Sequence, residues 1–187
     1  MTHKPYLLLA LLAATAACSK PKEPLSAREQ ADSAVEANRA TDGQNTLALI
    51  QMTMAADSTI SAAMVNRTAR PDVRAFAIAT MRESHQLTQE TAEMSRKTGI
   101  APVLPPNDPA SNDVAVTLSL INAGSKTTNV DGLYLSGVVS RDLSLASLTT
   151  LKSAVIKNPD LKAFFAKIAA QLQRRTAAVA SLEKKKP

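Results

Sequence analysis

The sequence predicts an all-α fold, an antiparallel four-helix bundle made of two helical hairpins with a short extra helix in the crossover. Three observations carry this. Ala, Leu, Ser and Thr dominate while Trp is absent and aromatic residues make up only 3% of the chain, a composition that favours close-packed helices over a sheet. The phrase PDVRAFAIA at Pro71 returns as PDLKAFFAK at Pro159. Between the two copies lies a proline-rich stretch, APVLPPNDP (Ala101–Pro109), that no helix tolerates.

Residues 1–17 read as a lipoprotein signal peptide. Lys4 supplies the positive charge, and the apolar run that follows, Tyr6–Ala17, is short for a bilayer span. Thr15-Ala16-Ala17 then precedes Cys18, the only cysteine in the chain. A small-residue triplet ending in Cys is similar to the bacterial lipoprotein box, in which the cysteine is lipidated and becomes the mature N-terminus. The alternative is an ordinary signal peptide with a stray thiol. Ser19 stands where Asp is the familiar inner-membrane retention residue, so the expectation is lipid anchoring at the periplasmic face of the outer membrane. A diacyl group with an amide-linked chain meets the requirement of two lipid signals for stable anchoring.

Residues 18–43 hold the lipidated cysteine, a tether with two prolines and a short peripheral helix. That helix opens at the capping box Ser26-Ala-Arg-Glu29 and ends near Asn38. The bundle domain occupies residues 44–184, with a basic tail at 185–187. Its first helix is predicted from a second capping-box pattern, Thr41-Asp-Gly-Gln44, to about Ala69. The next begins at Pro71, where proline is tolerated in a first turn, and stops at Gly99, backed by Ile100 as in a glycine C-cap. A short helix over about 110–123 follows the crossover. Thr128-Asn-Val-Asp131 opens a helix to about Lys157, and Asn158 caps the last one, which starts at Pro159 and runs to about Lys184. The tight junctions at Arg70-Pro71 and Asn158-Pro159 force each pair antiparallel. This is why the phrase occurs twice: each copy starts the second helix of a hairpin.

Several motifs together resemble one bacterial family. They are Asp57, Pro71-Asp-Val-Arg-Ala-Phe-Ala77, Gly99-Ile100, Leu104-Pro105, Val130-Asp-Gly-Leu-Tyr134 and Pro159-Asp-Leu-Lys-Ala-Phe164. The family is a ferritin-like domain-of-unknown-function family of exported proteins ascribed to the outer membrane, and the likeness spans most of residues 44–183. It implies a ferritin-like bundle and no established reaction. Members typically carry a Glu on the first long helix and a His on each of the other three. Here those positions hold Asp57, Ser84, Asp142 and Arg175, so every one departs from the pattern. His85 is adjacent to the expected position, but one residue turns it about 100° round the helix.

Periodicity places the same four residues in apolar stripes. Asp57 lies among Met54, Ser61 and Met64, and Ser84 among Thr80 and Leu87. Asp142 lies among Val138, Leu145 and Ala146, and Arg175 between Leu172 and Val179. Isolated buried charges cost several kcal/mol, so they must be paired or hydrated. One internal cluster satisfies them: Arg175 bridging Asp57 and Asp142, with Ser84 beside it, because a guanidinium fork serves two carboxylates at once. The alternative is a rotated stripe that leaves a charge half-exposed at a helix edge.

Other chemistries find little support. The chain has no Glu-x-x-His, and after loss of His3 with the signal only His85 remains. No glycine-rich phosphate loop or nucleophile–histidine pair appears, and the methionines fall at core spacing. Without residues 1–17 the chain has 21 basic and 16 acidic side chains, a dispersed +5 unlike a nucleic-acid stripe. The expectation is a non-catalytic envelope lipoprotein without cofactor, whose partners are the membrane and an envelope protein. The alternative is a metal- or small-ligand-binding module using Asp57 and Asp142, with His85 as a further donor. Oligomeric state is left open.

Overall fold

Among the described residues of the computed structural model five helices follow one another: α1 (Ala27–Val65), α2 (Pro71–Thr98), α3 (Ala110–Ala123), α4 (Val130–Val155) and α5 (Pro159–Glu183). The structure describes residues 26–104, 110–124 and 129–184. Cys18, the preceding signal and the tether therefore lie outside the described residues, as do part of the crossover and the tail.

The four long helices form two hairpins, α1/α2 and α4/α5, with α3 between them. The hairpins meet through α1 against α4 and α2 against α5, so the order round the bundle is α1, α2, α5, α4. Contacts across the seams fix the directions. Ser61, Asp57 and Asp42 on α1 meet Tyr134, Arg141 and Lys152 on α4, one series falling as the other rises, so these helices are antiparallel. Glu90 with Lys167 and Lys97 with Asp160 show the same for α2 and α5. The short helix α3 packs on α1 and α4, and Arg67 beyond the end of α1 donates to the carbonyl of Asn122.

Local chemistry sets the helix ends. The Asn158 side chain accepts from the amides of Asp160 and Leu161 at 3.0 and 3.1 Å, so two otherwise orphan donors of α5 are satisfied before Pro159 removes another. The matching junction at Arg70 has no side-chain cap. Instead the Arg70 guanidinium grips Asp72 at 2.8 and 3.1 Å and donates to the Leu182 carbonyl, tying the start of α2 to the end of α5. Gly99 ends α2 at φ 68°, a left-handed conformation that costs an L-residue about 1–2 kcal/mol.

One expectation is corrected. The peripheral helix and the first core helix are a single continuous helix, α1, with no break at Thr41-Asp-Gly-Gln44. Here the capping residues are used otherwise. Asp42 forms an ion pair with Lys152, and the Thr46 hydroxyl donates to the Asp42 carbonyl one turn back. Gly43 lies where a Cβ would stand 3.5 Å from Leu161 and 3.6 Å from Ile156, so the glycine admits neighbouring side chains rather than ending a helix. At its far end α1 stops at Val65, four residues short of the expected boundary.

The core is split in two. One apolar cluster holds Leu47, Ile50, Met54, Leu87, Leu145, Phe165, Ile168 and Leu172. The other holds Ile60, Met64, Val73, Ala77, Tyr134, Leu135, Val138 and Val179, closed from outside by Ile121 of α3. Each such aliphatic or aromatic side chain stabilises the fold by roughly 1.5–3 kcal/mol when fully buried. The Thr41–Val65 stretch of α1 is long and apolar enough to cross a membrane, but here it forms one wall of both clusters.

Candidate functional site: a polar layer between two apolar cores

Asp57, Ser84, Asp142 and Arg175 fall at the level between the two clusters, one from each long helix. Their positions follow from the stripes. Asp57 is three residues after Met54, and Arg175 three after Leu172, so each continues its helix's inward face at the level where apolar residues stop. Asp57, Ser84 and Asp142 are fully buried, and Arg175 is 4% exposed.

Arg175 is the hub. Its Nε donates to Asp142 Oδ2 at 2.6 Å, its Nη2 to both Asp142 Oδ1 and Asp57 Oδ2, and its Nη1 to Ser84 Oγ at 3.3 Å. One guanidinium thus reaches all three other long helices, with α1 diagonally opposite across the bundle. Charge-assisted, bidentate bonds of this kind are roughly twice as strong as neutral ones, and arginine's planar fork is what makes the double contact with Asp142 feasible.

A fifth residue completes the layer and was missed from sequence. Arg141 on α4 donates from Nε to Asp57 Oδ1 at 2.7 Å, with only a tenth of its side chain exposed. Asp57 is therefore held between two guanidinium groups, and two carboxylates balance two cations. A signal existed in the charge sum, because Asp57, Asp142 and Arg175 alone leave a buried unit of negative charge. Arg141 adjoins Asp142 in sequence but fell outside the apolar stripe read for that helix, and its reach toward α1 becomes visible only once the helices are docked.

Electrostatics follow from burial and this pairing. Burial raises the Asp142 carboxyl, the hydrogen bonds and charge of Arg175 offset part of that rise, and the charge of Asp57 adds to it, so that the group stands at about 6. Burial alone would lower the Arg175 pKa, but the hydrogen bonds and charges of Asp142 and Asp57 outweigh it and hold the guanidinium firmly protonated. One turn further along, burial raises the Tyr134 phenol, whose oxygen shares a 2.9 Å hydrogen bond with Ser61 and whose ring meets Phe76 edge-on at 6.1 Å.

His85 is not brought to this layer. It lies on the exposed side of α2, paired with Gln89 at 3.1 Å. Nor does any group of three or more His, Cys, Asp or Glu residues suited to a metal ion occur among the described residues. Carboxylates inside a four-helix bundle invite the question of metal binding, and the donor set gives the answer. Where a metal would need open carboxylate oxygens, both Asp142 oxygens are engaged by Arg175, and the Asp57 oxygens are divided between Arg175 and Arg141. These residues do not fit a metal. The surface groove between α2 and α5, over Met94 and Phe164, is edged by Lys97–Asp160 and Lys167–Glu90 pairs, both at 2.7 Å, which satisfy each other.

In comparisons with known proteins, no family model, curated protein or solved structure matches this chain.

Proposed function

We propose that this chain is a non-catalytic lipoprotein of the bacterial outer membrane, anchored through Cys18 and presenting a ferritin-like bundle to the periplasm as a binding or structural module. One observation carries the non-catalytic part: Arg175 stands between Asp57 and Asp142, with its fork engaged by both. A fixed cation at that position repels a metal ion and supplies the charge that a metal would otherwise supply. The layer has the chemistry of a structural clasp, with both carboxylates engaged internally by guanidinium groups. The anchoring part is supported by Thr15-Ala16-Ala17-Cys18 following an apolar run, and by a lone thiol that has no internal partner for a disulfide. The surrounding motifs support the ferritin-like family, and an envelope protein is the partner that this location offers.

Two measurements test the reading. Cells making the full chain are labelled with radioactive palmitate; label on the native chain, lost on Cys18→Ser, is expected, and an unlabelled native chain would remove the anchor. The purified chain is exposed to Fe(II), Zn(II), Mn(II) and Cu(I), freed of excess metal and analysed for bound elements. Less than a tenth of an equivalent is expected. A full equivalent of one metal that disappears in Asp57→Ala would replace this reading with a metal-binding module.

A further inference from the structure

Every large hydrophobic side chain exposed among the described residues lies on one stretch of the chain. Val103 and Leu104 are in the crossover, Val116 and Leu120 on α3, and Leu143, Leu151 and Val155 on the outer face of α4. The α4 face is also without charge. Its two basic residues turn toward α1, Arg141 to Asp57 and Lys152 to Asp42, while Asp142 is buried and Asp131 lies in the first turn. What remains outward from 136 to 155 is Ser, Thr, Ala, Leu and Val alone. By contrast, α2 and α5 direct Arg74, Arg82, Glu93, Arg96, Lys162 and Arg174 to solvent.

We propose that this face of α4 is a self-association surface, on which two copies of the chain pair antiparallel about a twofold axis at Ser147. Two features select a second copy as the occupant. First, the face reads nearly the same in both directions from Ser147. Leu143 and Leu151 lie four residues to either side, Ser144 and Thr150 three, Ser140 and Ala154 seven, and Val139 and Val155 eight. An isologous antiparallel pair sets each residue against the one equally far on the other side of the axis. Leucine therefore meets leucine, hydroxyl meets hydroxyl, and the small Ser147 meets itself where the helices come closest. Second, the chain carries a net charge of +6, so most faces oppose like charges when two copies approach, and this uncharged face does not. The hydroxyls do not obstruct burial, since Ser144 already donates to the Ser140 carbonyl at 2.9 Å.

The experiment places single cysteines in the full chain, made in cells and treated with a mild thiol oxidant. Ser147→Cys should give a disulfide-linked dimer, because a residue on the axis meets its own copy. Gln173→Cys, exposed on α5, and the native chain with Cys18 alone supply the baseline. In the Ser147→Cys background, adding Leu143→Glu with Leu151→Glu opposes like charges across the axis and should reduce the dimer at least tenfold. Adding Leu143→Lys with Leu151→Glu opposes unlike charges and should restore it. Both positions are exposed, Leu143 at 49% and Leu151 at 66%, and circular dichroism checks that helicity is unchanged. A dimer no stronger than at Gln173→Cys, a disulfide to a different protein, or the same yield from both charge variants overturns the proposal.

Discussion

At the residue scale, Arg175 is the side chain with most to lose. It neutralises two buried carboxylates, and truncating one partner of a buried ion pair typically costs about 3–5 kcal/mol because the remaining charge is stranded. Arg175→Leu should therefore lower the unfolding free energy by about that amount, measured by urea denaturation at pH 7.5, and unchanged stability would mean that the layer is hydrated. Asp142 provides a separate handle. Its carboxyl is raised in the fold from an ordinary value of 3.8 to about 6, so between those limits the native state binds a proton that the unfolded chain has released. Unfolding free energy must then fall as pH rises from about 4 to about 6 and level off above, with an upper bound of about 3 kcal/mol. The denaturation midpoint should follow this descent in the native chain, and Asp142→Asn should flatten it. A native profile that rises over the same window would reverse the sign and refute the assignment.

At the element scale, the two proline junctions begin helices by different means, and the difference can be measured. Asn158 accepts two backbone amides, so Asn158→Ala should cost about 1 kcal/mol, whereas the Arg70 side chain caps no amide of α2 and acts through Asp72 and the Leu182 carbonyl. A double-mutant cycle between Arg70 and Asp72 should show coupling, and one between Asn158 and Asp160 should not. The Asn158 cap, the first-turn prolines and Gly99 were legible in the sequence because they depend on residues within four positions of one another. The four-residue stripes were legible for the same reason, which is why Asp57, Ser84, Asp142 and Arg175 could be assigned to one layer before any docking. Thr41-Asp-Gly-Gln44 misled because its pattern is local while its use is not. Asp42 is engaged by Lys152 on another helix, and Gly43 is packed against Leu161, so the helix runs through a sequence that would start one in isolation. Arg141 went unread for a similar reason, since its partner lies 84 residues away.

At the scale of the whole molecule, the polar layer raises the question of why a bundle with two good apolar cores would keep charges between them. Stability alone is a poor answer, because replacing a buried ion-pair cluster by well-packed apolar residues is often neutral or stabilising by about 1–4 kcal/mol. Register is a better one. The hairpins are each closed by a short junction, but their docking depends on α1 against α4 and α2 against α5, seams lined largely by interchangeable Leu, Ile, Val and Ala. Sliding one hairpin by a helical turn, about 5.4 Å, would leave many apolar contacts replaceable yet carry Arg175 and Arg141 together away from Asp57, stranding that carboxylate against an apolar cluster. The layer therefore penalises slipped arrangements more than it stabilises the correct one. The triple variant Arg175→Met, Asp57→Leu, Asp142→Leu separates the two roles. It should unfold at a urea concentration equal to or above that of the native chain, while its amide NMR spectrum shows doubled peaks along α4 and α5 from hairpins docked in more than one register. A triple variant less stable than Arg175→Leu would make the cluster a net stabiliser, and a single sharp set of peaks would show that the apolar seams fix the register unaided.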